Sequence, residues 1–216
     1  SGRKILFVST KKQGQEVVAQ KAQEIAMPYI TERWAGGMLT NFPTIRKAVK
    51  KMSAIDKMMA DGTFDNISKR EKLQITRQRE KLEKNLGSIS DLTRLPSAVF
   101  VVDVMKEHIA VAEANRLGIP VFGIVDTNSN PNDIDFVIPA NDDATKSIEV
   151  ILTAVCEAIK EGLEERKVEK ADEEAAAAQA AGEAPAPKER RQRVRKAAPK
   201  AEAEKVATAE APAEAE

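Results

Sequence analysis

Residues 98–126 read AVFVVDVMKEHIAVAEANRLGIPVFGIVD, and this stretch decides the fold. Residues 98–103 and 120–126 are apolar runs without polar alternation, which is typical of strands buried on both faces. Between them, residues 107–117 carry apolar side chains at helical spacing, and Gly118 supplies a helix cap. A strand, a helix and a second strand in this order predict a parallel sheet with a right-handed crossover.

The same alternation of strands and helices continues on both sides of this stretch. Residues 4–9 and 136–138 are further short apolar runs, and residues 29–31 are a candidate short strand. Helical spacing recurs in residues 13–26 and in a segment that begins near Asp143 or Thr145. The sequence therefore predicts a doubly wound, mainly parallel α/β sheet of the flavodoxin-like or Rossmann-like type.

A different pattern interrupts the α/β alternation between residues 42 and 90. Apolar residues separated by 3, 4, 3 and 4 positions form the seam of a coiled coil. These residues are Ile45, Ala48, Met52, Ile55 and Met59. Ser68 and Glu71 then have the spacing of a capping box that opens a second helix. We expect an antiparallel coiled-coil hairpin inserted between the two halves of the sheet.

These patterns predict three parts of the chain. Residues 1–41 and 91–162 form a discontinuous α/β domain, and residues 42–90 form the coiled-coil hairpin. Residues 163–216 are rich in Ala, Glu, Pro and Lys and contain no aromatic residue. Because such a segment buries too little apolar surface to offset its ordering entropy, we expect a disordered C-terminal tail.

Charge is segregated along the chain although the formal net charge is zero. Residues 1–90 contain 18 Lys and Arg against 9 Asp and Glu, whereas residues 91–160 contain 5 against 11. An asymmetry of this size indicates that the basic part contacts nucleic acid. The alternative is a solvated helical surface without a polyanionic partner.

The sequence contains few of the residues that catalytic and metal sites commonly use. One cysteine and one histidine exclude a disulfide framework, a cysteine-based zinc cluster and a serine-type triad within these residues. Residues 126–135 begin like a calcium loop, but Pro131 replaces the turning Gly and Val137 replaces the closing Glu. We predict no catalytic residue, no metal and no cofactor. With the single cysteine, the absence of a long apolar run and of a signal peptide at the start of the sequence predicts a reducing, cytoplasmic setting.

The loop at residues 32–41 is the candidate recognition element. Arg33 and Trp34 precede Gly36 and Gly37, and a helix follows. RNA recognition uses stacking on aromatic rings, cations, and phosphate at helix N-termini. The alternative is that Trp34 packs the hairpin against the sheet, and the two roles are compatible because an indole ring has two faces.

The predicted RNA-binding residues combine this loop with the cations of the hairpin and of the first strand–helix loop. They are Lys11, Lys12, Arg33, Trp34, Arg46, Lys47, Lys50, Lys51, Lys57, Lys69, Arg70 and Arg77. Lys11 and Lys12 lie in a loop without the glycine pattern of a dinucleotide site, so we expect only an electrostatic contact with phosphate there.

Several stretches resemble one known family. They are RWAGGMLTNF (33–42) before a long basic hairpin, VFVVD (99–103), GIP (118–120), GIVDTN (123–128) and IPANDDA (138–144). Their spacing is similar to that of the bacterial small-subunit ribosomal proteins numbered two, and the resemblance runs from about residue 4 to residue 161. That family normally carries some tens of residues before the point where this chain begins, so we expect the chain to lack an N-terminal segment.

The resemblance implies an α/β domain with a protruding coiled coil in the small ribosomal subunit. It implies binding to small-subunit ribosomal RNA and to neighbouring ribosomal proteins, including the large RNA-binding protein numbered one, and no catalysis. The alternative left open by the residues alone is a Rossmann-like enzyme that binds a nucleotide or metabolite and uses the hairpin as a protein-docking arm.

Overall fold

The computed structural model describes residues 3–62 and 67–182, and for residues 170 and 172–182 it describes the backbone only. Residues 1–171 group as one unit and residues 172–216 as another. In chain order the elements are β1 (Ile5–Val8), α1 (Lys12–Glu24), β2 (Tyr29–Ile30), α2 (Phe42–Ala60), α3 (Lys69–Leu86), β3 (Ala98–Val102), α4 (His108–Arg116), β4 (Val121–Val125), β5 (Phe136–Pro139) and α5 (Thr145–Gly182). The predicted strands and helices are confirmed. Most of their ends differ from the predicted ones by one or two residues, and α5 extends further, to Gly182.

The five strands form one sheet in the order β2-β1-β3-β4-β5, and every neighbouring pair is parallel. β1 and β3 pair from Ile5 with Ala98 to Val8 with Val101. Because the chain moves outward from β1 to β2 and then returns to β3 on the other side, the strand order reverses between β1 and β3. The doubly wound α/β fold predicted from the sequence is therefore confirmed.

Each face of the sheet has its own core because successive strand side chains point to opposite faces. Leu6, Val8, Val99 and Val101 face the loop after β2, the base of the hairpin and α4. Phe7, Phe100 and Val102 face the other side, where Val18 of α1 and Leu152 of α5 cover them. The uninterrupted apolar runs are thus explained by a sheet that is buried on both faces.

The hairpin is built as the seam spacing predicts. Met52 and Ile55 of α2 are buried, and Arg79 of α3 forms an ion pair with Asp56 of α2. Ser68 caps α3 by accepting a hydrogen bond from the Glu71 N–H at 3.4 Å. The base of the hairpin joins the sheet core through partly buried apolar residues and Leu86, so the sheet fixes the direction in which the hairpin leaves it. The partly buried residues are Phe42, Ile45, Ala48, Val49 and Leu82.

The turns also follow local sequence. Gly118 ends α4 with φ of +64°, a conformation that side-chain-bearing residues rarely adopt. The loop after β4 is held by Asx hydrogen bonds, in which Asp126 accepts from the Thr127 N–H and Asn130 accepts from the Asn132 N–H. Of the predicted tail, residues 163–182 continue α5, and residues 183–216 lie outside those described. Among the described residues, no helix combines the length and hydropathy needed to cross a bilayer.

Candidate nucleic-acid interface

Glu113 of α4 organises the loop that leads into α2. Its Oε1 accepts hydrogen bonds from the indole Nε1–H of Trp34 at 3.1 Å and from the Gly37 N–H at 2.7 Å. Its Oε2 accepts from the N–H groups of Leu39 at 2.9 Å and Thr40 at 3.1 Å, and from the Thr40 hydroxyl at 3.2 Å. One buried carboxylate therefore satisfies five donors of this loop.

The hydrogen bonds also control the charge of Glu113. Burial alone raises the pKa of a carboxyl group, but the N–H groups of Thr40, Leu39 and Gly37 and the indole of Trp34 outweigh it and lower the pKa of Glu113. Gly37 has φ of +85°, which turns its N–H toward the carboxylate. Glu113 is thus an ionised internal anion at the entrance of α2.

This arrangement corrects two predictions about the loop. Trp34 is only 8% exposed and packs in the core between the sheet and the hairpin, so it offers no accessible face to a nucleotide base. The loop N–H groups expected to meet phosphate already bind the carboxylate of Glu113. Arg33 lies exposed beside the buried ring and keeps its charge at the surface. Sequence reasoning gave Glu113 no structural or binding role, although a charged residue on the apolar face of α4, beside Ala110 and Ala114, is a signal of an internal partner.

The prediction that Lys11 meets phosphate is also corrected, because the Lys11 ammonium already forms ion pairs with aspartates. Its Nζ lies 2.6 Å from Asp143, 2.7 Å from Asp142 and 3.3 Å from Asp103, and its side chain is 13% exposed. Partial burial alone lowers the pKa of an ammonium group, but the hydrogen bonds to these carboxylates outweigh it and raise the pKa of Lys11. A phosphate has no unpaired charge to meet at Lys11. The adjacent Lys12 is exposed.

The exposed face of α2 carries four lysines for which the described residues show no ion pair. Lys47, Lys50, Lys51 and Lys57 are exposed and recur near one face of the helix. The only acidic residue of α2 is Asp56, which binds Arg79 of α3. Arg46 differs from the four lysines because it is partly buried and donates to the carbonyl oxygen of Thr93 at 2.6 Å.

The α3 helix carries further cations, some of which pair with carboxylates and some of which do not. Lys69, Arg70 and Arg77 are exposed, and no described carboxylate pairs with them. Lys84 pairs with Glu32 at 3.2 Å, and Arg79 pairs with Glu83 at 2.7 Å in addition to Asp56. The structure therefore brings most predicted cations together on the hairpin and separates Lys11 and Trp34 from them.

The single histidine and the single cysteine lie in different helices. His108 is exposed at the start of α4, with Nδ1 3.1 Å from the carbonyl oxygen of Met105. Cys156 is buried under α1, and this burial raises the pKa of its thiol. At the edge of the sheet where doubly wound enzymes bind ligands, the ammonium of Lys11 lies among aspartates.

Comparison with known proteins gives consistent matches over the α/β unit and the hairpin. The family described as Ribosomal protein S2 matches residues 1–162. The chain is 79% identical over 175 residues to a protein of Parabacteroides distasonis named small ribosomal subunit protein uS2, covering 81% of this chain and 63% of the relative. Proteins of the same name from Phocaeicola vulgatus and Bacteroides fragilis are 70% identical over 197 residues and 76% identical over 176 residues. The alignment with the Phocaeicola protein covers 91% of this chain and 71% of that protein. The alignment with the Bacteroides protein covers 82% of this chain and 63% of that protein.

Proposed function

The chain belongs to the family of ribosomal protein S2, and from this membership we propose that it is a structural constituent of the small ribosomal subunit. In this role it binds small-subunit ribosomal RNA and takes part in translation in the cytoplasm. The observation that carries the RNA-binding role is the exposed lysine face of α2, which no carboxylate of that face neutralises.

The hairpin supplies what a phosphate-binding surface needs. Residues 42–86 contain 12 Lys and Arg against 6 Asp and Glu. Lys47 and Lys57 are ten positions apart, which corresponds to about 15 Å along a helix. A row of flexible ammonium groups of this length can neutralise several consecutive phosphates, and such contacts fix orientation without reading sequence.

The α/β unit positions this surface. The base of the hairpin is part of the sheet core, and the loop before α2 is held by Glu113. Residues 91–160 have an excess of acidic residues, so this part of the chain repels phosphate and faces protein or solvent. We assign to it the contacts with neighbouring ribosomal proteins, including the large RNA-binding protein numbered one.

The alternative of a nucleotide-binding enzyme is not favoured. A nucleotide site in a doubly wound sheet lies at the carboxyl ends of the strands, near the point where strand order reverses. In this chain the Lys11 ammonium and three aspartates lie there, and they repel a phosphate group overall. The relatives of the chain are named ribosomal proteins, and no enzymatic role is proposed.

We predict that replacing Lys47, Lys50 and Lys51 with Gln weakens binding to small-subunit RNA and flattens its salt dependence. Each lost phosphate contact reduces the slope of log affinity against log salt by about 0.7–0.9, so the triple variant loses about 2–3 units of slope. Filter binding of purified chain to small-subunit RNA at several salt concentrations measures this slope.

The matched control replaces three exposed cations outside the hairpin, Arg116, Lys146 and Lys167, with Gln. It changes the net charge equally but leaves the α2 face intact, so the slope stays within about one unit of the unmodified chain. An equal loss in both triple variants, or no loss in the α2 variant, would contradict the proposed interface.

A further inference from the structure

A shallow cleft lies at the amino edge of the sheet, where the chain enters β1 and β3. The residues just before β1 and the loop before β3 line this cleft, and its volume is about 330 Å³. Three of its described lining residues are cations, Arg3, Lys4 and Arg94, whereas only Asp91 contributes a carboxylate. The cleft therefore combines a concave surface with an excess of two positive charges.

The two arginines of the cleft have no carboxylate partner among the described residues. Arg3 and Arg94 are exposed, and neither forms an ion pair there. The Lys4 ammonium donates a hydrogen bond to the carbonyl oxygen of Ala26 at 2.6 Å, which holds the side chain but leaves its charge in place. A guanidinium group presents N–H donors in a planar fork that matches the oxygen atoms of a phosphate group. The charge and the donors of the cleft thus suit phosphate.

Arg46 connects the cleft with the lysine face of α2. Its Nη1 donates to the carbonyl oxygen of Thr93 at 2.6 Å, and Thr93 directly precedes Arg94 in the loop that lines the cleft. Lys50 follows Arg46 by about one helical turn, so the two side chains lie on the same side of α2. Both line a second cavity, which meets the cleft at Leu92 and has no carboxylate among its described lining residues. A row of cations therefore runs from α2 to the amino edge of the sheet.

The acidic residues of the α/β unit do not cancel this charge. Residues 91–160 are acidic in total, but Asp103, Asp142 and Asp143 lie at the opposite edge of the sheet, where they pair with Lys11. Because β3 has five residues, about 16 Å separate the two edges. This distance exceeds the Debye length of about 8 Å at physiological salt. The carboxylates of the far edge therefore weaken the positive potential at the cleft only slightly.

We propose that Arg3 and Arg94 bind phosphate groups of small-subunit RNA in this cleft, which extends the lysine face of α2 onto the sheet. This role rests on the proposed RNA-binding function and adds a second contact surface to it. Since the base of the hairpin is part of the sheet core, the two surfaces are held in a fixed relation. Phosphate contacts on both fix the direction of the hairpin relative to the RNA, because such contacts determine orientation rather than sequence preference.

Replacing Arg3 and Arg94 with Gln tests this role. Both side chains are exposed, so the double variant keeps its fold and its Tm. We expect the slope of log affinity for small-subunit RNA against log salt to fall by about 1.4–1.8, since each lost phosphate contact removes about 0.7–0.9. Filter binding at several salt concentrations measures the slope. The matched control is Arg116→Gln with Lys146→Gln, which removes two exposed cations elsewhere and leaves the slope within about half a unit.

A charge-conserving variant separates phosphate binding from a structural role. Arg3→Lys with Arg94→Lys keeps both charges, so it retains the slope of the unmodified chain. The proposal is overturned if the Gln double variant behaves like its control, or if the Lys variant loses as much slope as the Gln variant. In either case a loss of slope in the α2 triple variant would leave the RNA-binding function standing. If the α2 triple variant and the cleft variant both keep the full slope, both proposals fail.

Discussion

Replacing Glu113 with Gln lowers the free energy of unfolding by about 2–4 kcal/mol, because charge-assisted hydrogen bonds are weakened and buried N–H donors lose their acceptor. In the unmodified chain Glu113 accepts five hydrogen bonds from the loop before α2. A Gln side chain has one acceptor oxygen, and its amide group meets N–H donors on the other side. Urea denaturation followed by circular dichroism measures the change.

The same variant has a local signature and a pH signature. The amide hydrogens of Gly37, Leu39 and Thr40 exchange faster, since the loop loses its acceptor. Because folding lowers the pKa of Glu113, its contribution to stability is complete above the unfolded-state value of about 4.3 and is lost as the pH falls through the folded-state pKa. The difference in stability between the unmodified chain and the Glu113→Gln variant therefore shrinks in acid. The control is Glu157→Gln, which changes an exposed carboxylate of α5. A loss of stability in Glu113→Gln that is independent of pH, or equal to that of this control, would show that the Glu113 carboxylate is not the anchor.

Replacing Lys11 with Gln lowers the free energy of unfolding by about 3 kcal/mol, because the substitution leaves buried carboxylates without their cation. Asp142 is fully buried and Asp103 is 6% exposed, so neither can regain full hydration. Thermal denaturation at neutral pH measures this loss.

A double variant identifies the cause of that loss. Lys11→Gln with Asp142→Asn removes both the ammonium and its most buried partner, so the double variant is more stable than the sum of the two single losses predicts. Strict additivity of the two single effects would mean that the ion pair contributes nothing beyond the packing of each side chain.

Strands and helices were predictable because local patterns determine them. The run at residues 98–103 has no polar alternation, and its strand is buried on both faces as expected. The seam around Met52 and Ile55, and the Ser68 cap, depend on residues within a few positions of one another. The alternation of elements and the handedness of crossovers predict a parallel, doubly wound sheet, but they do not by themselves select the order β2-β1-β3-β4-β5.

The partners of Trp34 and Lys11 could not be predicted from local patterns. Glu113 is 79 positions from Trp34, and Asp142 is 131 positions from Lys11. Both residues looked available to RNA because a cation or an aromatic ring in a loop is usually near the surface. The carboxylate of Glu113 binds the loop N–H groups near Trp34, and the carboxylate of Asp142 binds the Lys11 ammonium, so both positions expected for phosphate are occupied.

The exposed cations of the hairpin were predictable for a complementary reason. Lys47, Lys50 and Lys51 lie on the side of α2 opposite the apolar seam, so helical spacing alone places them in solvent. The division of the chain at residues 41, 90 and 162 stays a prediction. So does the RNA-binding role of the individual cations, which depends on a partner.

The most direct test of the central claim is an electron cryomicroscopy structure of small ribosomal subunits that contain this chain. The account predicts RNA phosphate groups within about 4 Å of the ammonium groups of Lys47, Lys50 and Lys51, the distance at which such ion pairs form, with Trp34 still buried against Glu113. A hairpin whose lysine face lies in open solvent or against an acidic protein, with no RNA beside it, would contradict the account.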